Sequence, residues 1–478
     1  MPATATGRGA QVILDGDAQR AARGAYANTY VANARFLEDM EIAGLVADSD
    51  TTSDGTTKTR LPANDYLLGP ADSGTKLQQS TRLLTSVSRL AAAARTNNRY
   101  LLPAMTSPPT VTDSTTADGT LTLMIPWNGG NSYLAYTGTG PFNYCGGLTQ
   151  PDALGSNKAP SVYYGTVAGS PVNTQGVTYV ETVVDAAKVQ FQVFAFGGQS
   201  QYRVIVNGQY VTFTAKVIAA TGPNYITVDF TSVGGRASRN VTLEFVNCDF
   251  GEFTRVRPVE GISRPPGKPV RMYVQGDSIT AYGGTSVPNI GNNLVNRLGA
   301  YLGIRDTWVG GVPGTGYINN AANTQTTAIQ RVPDIISARP DIIVSLNGHN
   351  DAAFMTSADL QKGVTQWLTA LRSNPATASA PIVMCGLWCN VPNGASAAAE
   401  GAITAAVTAF NDPLVFNILA INDPDGAWMT GTGSTAAPTG TGNCDVYVSA
   451  DGVHPNDAGH TYLAGRLADA MMRQVFNQ

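Results

Sequence analysis

The chain has 478 residues, enough for two or three domains, and 43% of them are hydrophobic, enough to build real cores. Only 13% are charged, about half the roughly 25% of an average globular protein, and 30 basic against 34 acidic residues leave a net charge of −4. No Lys/Arg run stands out and no apolar stretch reaches bilayer length, so neither a nucleic-acid partner nor a membrane span is expected.

Residues 1–105 read as a partly helical N-terminal region. Phe36, Leu37, Met40 and Leu45 fall near helical spacing, as do Leu77, Leu83, Leu84, Val87, Leu90 and Ala94. Between them, Asp48 to Lys58 is rich in Ser, Thr, Asp and Gly and reads as a loop. No catalytic cluster occurs in this region.

Residues 106–262 change character. Thr120 to Ile125, Val189 to Phe196, Tyr202 to Val206, Tyr210 to Thr214, Tyr225 to Phe230 and Val241 to Val246 are short runs rich in β-branched and aromatic residues. Asn207-Gly208 joins two of them as a two-residue hairpin turn. The pattern predicts a β-sandwich, jelly-roll-like. Tyr202 and Tyr210 are read as packing residues. Pro265-Pro266-Gly267 marks a boundary.

From 268 to 478 strands and helices alternate. Strands are predicted at Val270–Gln275, near Trp308-Val309, at Asp341–Leu346 and at Pro381–Leu387; helices at Leu294–Leu302, Leu360–Leu371, Ala398–Phe410 and Asp457–Val475. Such alternation argues for a parallel sheet with helices on both faces, whose ligands sit beyond the carboxyl ends of the strands.

Four motifs in this last region carry chemistry: Gly276-Asp277-Ser278, Gly311-Val312-Pro313-Gly314, Asn347-Gly348-His349-Asn350-Asp351 and Asp451-Gly452-Val453-His454-Pro455. Ser278 follows a strand directly, at a turn that can present its hydroxyl at the sheet edge. A serine needs a base near its working pH, and the chain has only three histidines. His454 has Asp451 three residues before it, close enough to hold the imidazole Nδ1. Asp457 and His460 repeat the spacing, but Pro455 keeps the first pair in a loop, and Asn456 or Asp457 can cap the next helix. Candidate oxyanion donors are the N–H of Ser278, the N–H of Gly314 and the amide of Asn350. His349 can line the pocket or serve the fold, Trp388 and Trp428 can cover the site or pack in the core, and Asp277 organises its turn.

Taken together, these blocks resemble those of the SGNH hydrolase superfamily, the GDSL-like esterases. The resemblance covers the stretch from 268 onward and implies a three-layer α/β/α fold and a metal-free mechanism without a cofactor. It places the nucleophile at Ser278, the Asp/His pair at Asp451 and His454, and the oxyanion hole at Gly314, with Gly311 as the alternative alignment, and Asn350. The order of a β-rich domain and then a hydrolase also resembles carbohydrate esterases with a jelly-roll module, and phage tail proteins that deacetylate bacterial surface polysaccharides.

The expected function is a serine esterase removing small acyl groups, acetyl foremost, from an acylated carbohydrate or other small ester. A lipase- or thioesterase-like hydrolase of longer acyl esters is the alternative, and a glycan-binding virion protein with a vestigial hydrolase fold is the non-enzymatic one. Few charges, many small polar residues and no evident leader point to an extracellular or virion-associated protein, and an oligomer is compatible. The five cysteines, Cys145, Cys248, Cys385, Cys389 and Cys444, lack redox or zinc spacing and are expected to be buried thiols or to form one disulfide.

Overall fold

The computed structural model describes residues 49–51, 57–59, 104–125, 141–146, 177–195, 200–246, 248–266, 269–281, 293–321, 325–352, 354–386 and 394–476. The helices expected around 36–45 and 77–94 lie outside these residues. The stretch read as a loop at Asp48 to Lys58 instead contains an antiparallel pair, β1 (Ser49–Thr51) with β2 (Thr57–Thr59). Thr51, Thr57 and Thr59 are β-branched and favour the extended backbone that a count of polar residues overlooks.

Twelve strands follow in two antiparallel sheets. They are β3 (Thr110–Ser114), β4 (Leu123–Ile125), β5 (Asn143–Cys145), β6 (Thr178–Ala186), β7 (Lys188–Ala195), β8 (Ser200–Val206), β9 (Gln209–Tyr210), β10 (Lys216–Ile218), β11 (Gly222–Asp229), β12 (Ala237–Val246), β13 (Cys248–Val256) and β14 (Gly261–Ser263). One sheet runs β10-β8-β12-β6-β14, with β5 beside β6 and β9 beside β8; the other runs β3-β11-β7-β13-β4. Alternation drives the packing: Val189, Phe191 and Val193 of β7 and Ile226 and Val228 of β11 share one core with Val204, Leu243 and Phe245 of the other sheet. Asn207 and Gly208, both at positive φ, turn β8 into β9 as the dipeptide requires. Tyr202 and Tyr210 are buried.

The last unit is a five-stranded parallel sheet in the order β16-β15-β17-β18-β19, made of β15 (Arg271–Gly276), β16 (Asp306–Gly311), β17 (Ile342–Ser345), β18 (Ile382–Met384) and β19 (Val415–Asn417). Its central strands carry continuous apolar runs, such as Met272-Tyr273-Val274 and Ile342-Ile343-Val344, because both faces are covered. The helices are α1 (Leu294–Tyr301), α2 (Val332–Ala338), α3 (His349–Ala352), α4 (Ser357–Arg372), α5 (Gly394–Phe410), α6 (Cys444–Tyr447) and α7 (Asp457–Gln474). From β15 the chain steps one way to β16 and the other way to β17. Right-handed crossovers therefore put α1 on one face and α2 and α4 on the other. The contacts agree: α1 packs with α7, and α4 with α2 and α5. The switch in direction leaves a crevice beyond the carboxyl end of β15, where Ser278 begins the next turn.

Polar contacts tie this unit to the preceding sheets. Glu181 pairs with Arg305 at 2.6 Å. The buried Asp306 accepts the Gly146 N–H at 2.9 Å, the Trp308 indole N–H at 2.7 Å and Arg271 Nε at 2.6 Å. Removing that carboxylate strands all three donors. Asp306→Ala is expected to cost on the order of 3 kcal/mol, measured as a lower urea midpoint; an unchanged midpoint would show that the cluster contributes nothing.

Candidate active site

The turn after β15 is built by Asp277. Its side chain is fully buried, its Oδ1 accepts the Ile279 N–H at 2.9 Å, and its carbonyl accepts the Ala281 N–H at 3.0 Å. This tight turn leaves Ser278 half-buried at the sheet edge. Two glycines permit it. A Cβ at Gly276 would lie 1.8 Å from Thr280 Oγ1, and one at Gly311 would lie 2.7 Å from the Ala281 nitrogen and 2.8 Å from the Asp277 carbonyl. Gly311 thus lets the end of β16 close against the serine turn. Gly314 lies beyond the strand at φ +73°, in the left-handed region that favours glycine. The N–H groups of Ser278 and Gly314 have no acceptor among the described residues.

Asp451 and His454 arrive from the other end of the sequence. A bridge between Val448 and Pro455 and a bond from the Ser449 N–H to the His454 carbonyl at 2.8 Å close the loop between them. Asp451 Oδ1 accepts the Ser449 hydroxyl at 2.6 Å and the N–H groups of Val453 and His454 at 2.9 and 3.0 Å. Its Oδ2 lies 2.7 Å from His454 Nδ1, and His454 Nε2 lies 2.8 Å from Ser278 Oγ. Partial burial would raise the Asp451 carboxyl, but the His454 N–H, the Ser449 hydroxyl, the Val453 N–H and the imidazole together hold it well below the ordinary carboxylate range. It is therefore an anion facing Nδ1, which favours the tautomer with a proton on Nδ1 and a lone pair on Nε2 toward the serine. Asn456 caps α7 through the Gly459 N–H at 2.8 Å, and His460 is fully buried within that helix.

Asn350 is the second residue of α3, after β17. Its Nδ2 donates to the Thr315 carbonyl at 3.0 Å and, over a longer 3.3 Å, to Asp277 Oδ2. The next residue, Asp351, is a clamp that sequence reading left without a role. Its carboxylate accepts the N–H groups of Tyr317 at 2.7 Å, Ile318 at 3.2 Å and Asn319 at 3.0 Å. Asn319 in turn donates to the Asn350 carbonyl at 2.7 Å. The loop carrying Gly314 is thus bolted to the helix carrying Asn350. The only signal in the sequence was an acidic residue after the asparagine, which reads equally well as a helix-start preference. His349 is half-buried, and burial, then the nearby His454, lower its pKa.

Trp428 lies in the core, its indole N–H on Asp423 Oδ2 at 2.5 Å; Trp388 and Cys389 lie outside the described residues. Cys145, Cys248, Cys385 and Cys444 are all buried. Among the described residues no cluster of His, Cys, Asp and Glu could hold a metal ion, and no helix is long and apolar enough to cross a membrane.

Residues 274–462 match the model of the GDSL-like lipase/acylhydrolase family. Among solved structures, a salicylyl acyltransferase from a tetracycline biosynthetic pathway superposes with a TM-score of 0.50 at 14% identity, over 71% of this chain and 96% of its own. A family two carbohydrate esterase from Clostridium thermocellum, in complex with cellohexaose, gives a TM-score of 0.49 at 16% identity over 69% of this chain and 98% of its own. An acetyl xylan esterase from the rumen bacterium Butyrivibrio proteoclasticus gives 0.46 at 13% identity over 76% and 98%. No curated protein matches the chain.

Two outcomes follow from this geometry. A Cβ at Gly316 would sit 2.2 Å from an Asp351 carboxylate oxygen, so Gly316→Ala must open the clamp; a stability loss of about 2 kcal/mol is expected by thermal melting, and no change would mean the clamp is slack. Burial, chiefly, pushes the Asp277 carboxyl up to about 7, against about 4 in the unfolded chain. Its contribution is fully present below about pH 4 and is lost as pH rises through about 7. Asp277→Asn should therefore flatten the fall in unfolding free energy between those pH values; an unaltered slope would contradict the assignment.

Proposed function

We propose that the acylhydrolase domain is a serine esterase that removes small acyl groups, acetyl foremost, from carbohydrate esters through an acyl-enzyme. The observation that carries this reading is the unbroken contact chain Ser278 Oγ, His454 Nε2, His454 Nδ1, Asp451 Oδ2, with separations of 2.8 and 2.7 Å at its two hydrogen bonds.

Ser278 Oγ attacks the ester carbonyl carbon while His454 Nε2 takes its proton, and Asp451 stabilises the imidazolium. The new oxyanion is received by the Ser278 N–H, the Gly314 N–H and Asn350 Nδ2, which gives up its long bond to Asp277. The intermediate collapses, the alcohol oxygen leaves with the proton from His454, and the acyl group stays on Ser278. Water attacks by the same route, its proton passing to His454, and the second collapse returns that proton to Ser278 as the carboxylic acid departs.

The carbohydrate part of the reading rests on the surroundings. The segment packed against the Asp451–His454 loop is rich in hydroxyls and glycine, with Thr432, Thr435, Thr439 and Thr441 exposed, a rim suited to a polar alcohol. The β-rich unit before it, which we place at 106–262 as a jelly-roll-like sandwich ahead of a hydrolase at 268–478, provides a natural glycan platform, and extracellular or virion-borne substrates fit that arrangement. A hydrolase of longer acyl chains is the second reading, favoured by Phe354 (74% exposed), which follows Asn350 and Asp351, and Val453 (37% exposed), which precedes His454.

An acetate-release screen on acetylated plant and bacterial glycans, run with aryl acetate and aryl octanoate, separates the readings. Wild type should release acetate and prefer the acetyl ester, and Ser278→Ala should lose at least about 10³-fold in kcat while still folding. Equal turnover by the variant overturns the assignment, preference for octanoate selects the second reading, and glycan binding without hydrolysis selects a vestigial site.

A further inference from the structure

Beneath the serine turn lies a cation that no motif in the sequence announced. Arg331, the residue before α2, is only 2% exposed. Its Nη1 donates to the Gly310 carbonyl at 2.6 Å, and its Nη2 donates to the Gly276 carbonyl at 3.3 Å and to Thr315 Oγ1 at 3.1 Å. Each acceptor belongs to a segment bearing one proposed oxyanion donor. Gly276 is two residues before Ser278. Gly310 is the penultimate residue of β16, the strand that leads to Gly314. Thr315 follows Gly314, and its carbonyl holds Asn350 Nδ2 at 3.0 Å. The segments are also tied to one another: the Val312 N–H donates to the Gly276 carbonyl at 3.1 Å, and the Thr315 hydroxyl donates to the Val312 carbonyl at 2.8 Å.

A buried guanidinium is costly, because the charge leaves water. Desolvation, the largest influence, lowers its pKa to about 10, with Tyr273, Asp334 and Asp277 acting in the opposite direction, so it remains a cation at neutral pH. Among the described residues it forms no ion pair with a carboxylate. Its hydrogen bonds go to two backbone carbonyls and one hydroxyl instead. A planar fork with several donors can hold three acceptors on two segments, which a lysine ammonium on a flexible stem does less well.

We propose that Arg331 is the positioning residue of the oxyanion hole, one side chain setting the mutual placement of the Ser278, Gly314 and Asn350 donors. This rests on the esterase reading above. Arg331 touches no substrate; it acts through the carbonyls it holds, and a displaced donor loses most of its value in the transition state.

The test uses Arg331→Met and Arg331→Lys in the full chain, with wild type and Ser278→Ala as references. Thermal melting counts the folded fraction, aryl acetate hydrolysis separates kcat from KM, and phenylboronic acid binding reports the tetrahedral adduct on Ser278. Arg331→Met should lower kcat per folded molecule about 10²-fold with KM within about threefold, and weaken boronate binding by a similar factor. Arg331→Lys, the variant that keeps the charge and favours folding, should fall between it and wild type. Variants that match wild type in kcat and boronate affinity per folded molecule overturn the proposal, as does a loss that only tracks the folded fraction. If wild type neither turns over the ester nor binds boronate more tightly than Ser278→Ala, the esterase reading fails, and the proposal fails with it.

Discussion

Ser278 and His454 are 176 positions apart in the chain and 2.8 Å apart at the rim of the parallel sheet. That contact is the constraint around which the last unit is arranged. β15 must stop at Gly276 for the serine to turn outward, and β16 must approach closely enough that only glycine fits at Gly311. The chain must then cross the whole sheet to β19 before the loop holding Asp451 and His454 returns over β15. The packing of α7 on α1 brings that loop home, because α1 follows the serine turn and α7 begins three residues after His454.

The electrostatics form two tiers. At the surface, Asp451 is only partly buried and firmly ionised, because three donors besides the imidazole saturate its carboxylate. Below, Asp277 and Asp351 are buried and their pKa values are pushed up by desolvation. Asp351 recovers much of that cost through three backbone N–H groups. Environment alone therefore assigns these carboxylates different duties: an anion steering a histidine, an acid shaping a turn and a clamp on a loop. The Arg331 guanidinium lies in the lower tier, so positive charge is built in under the place where an oxyanion would form.

Much of this site was legible in the sequence because its chemistry demands rare residues at fixed local spacings. Three histidines left few candidate bases, and Asp451 with His454 forms a short loop whose contacts are local. The strands β15, β17 and β18 and the helices α1, α4, α5 and α7 were visible as apolar runs and periodicity. β19 was not, since three residues carry no period, and β13 was not, since Asp249, Gly251 and Glu252 interrupt its apolar pattern. Arg331 and Asp351 were opaque for a different reason. Their partners are backbone carbonyls and N–H groups, which every residue owns, so no pattern of side chains could betray them. Gly311 and Gly314 looked alike in the sequence, although one is glycine because a Cβ would strike the serine turn and the other because of its positive φ.

The account turns on Ser278 being the group that accepts the acyl moiety. The direct measurement is peptide mapping by mass spectrometry after brief exposure of the full chain to an activated aryl acetate and an acid quench. The account predicts one acetyl group on the peptide containing Ser278, accumulating within the first turnover and decaying as acetate is released. Turnover without that adduct, or an acetyl group carried by another residue at the same kinetic competence, would contradict it.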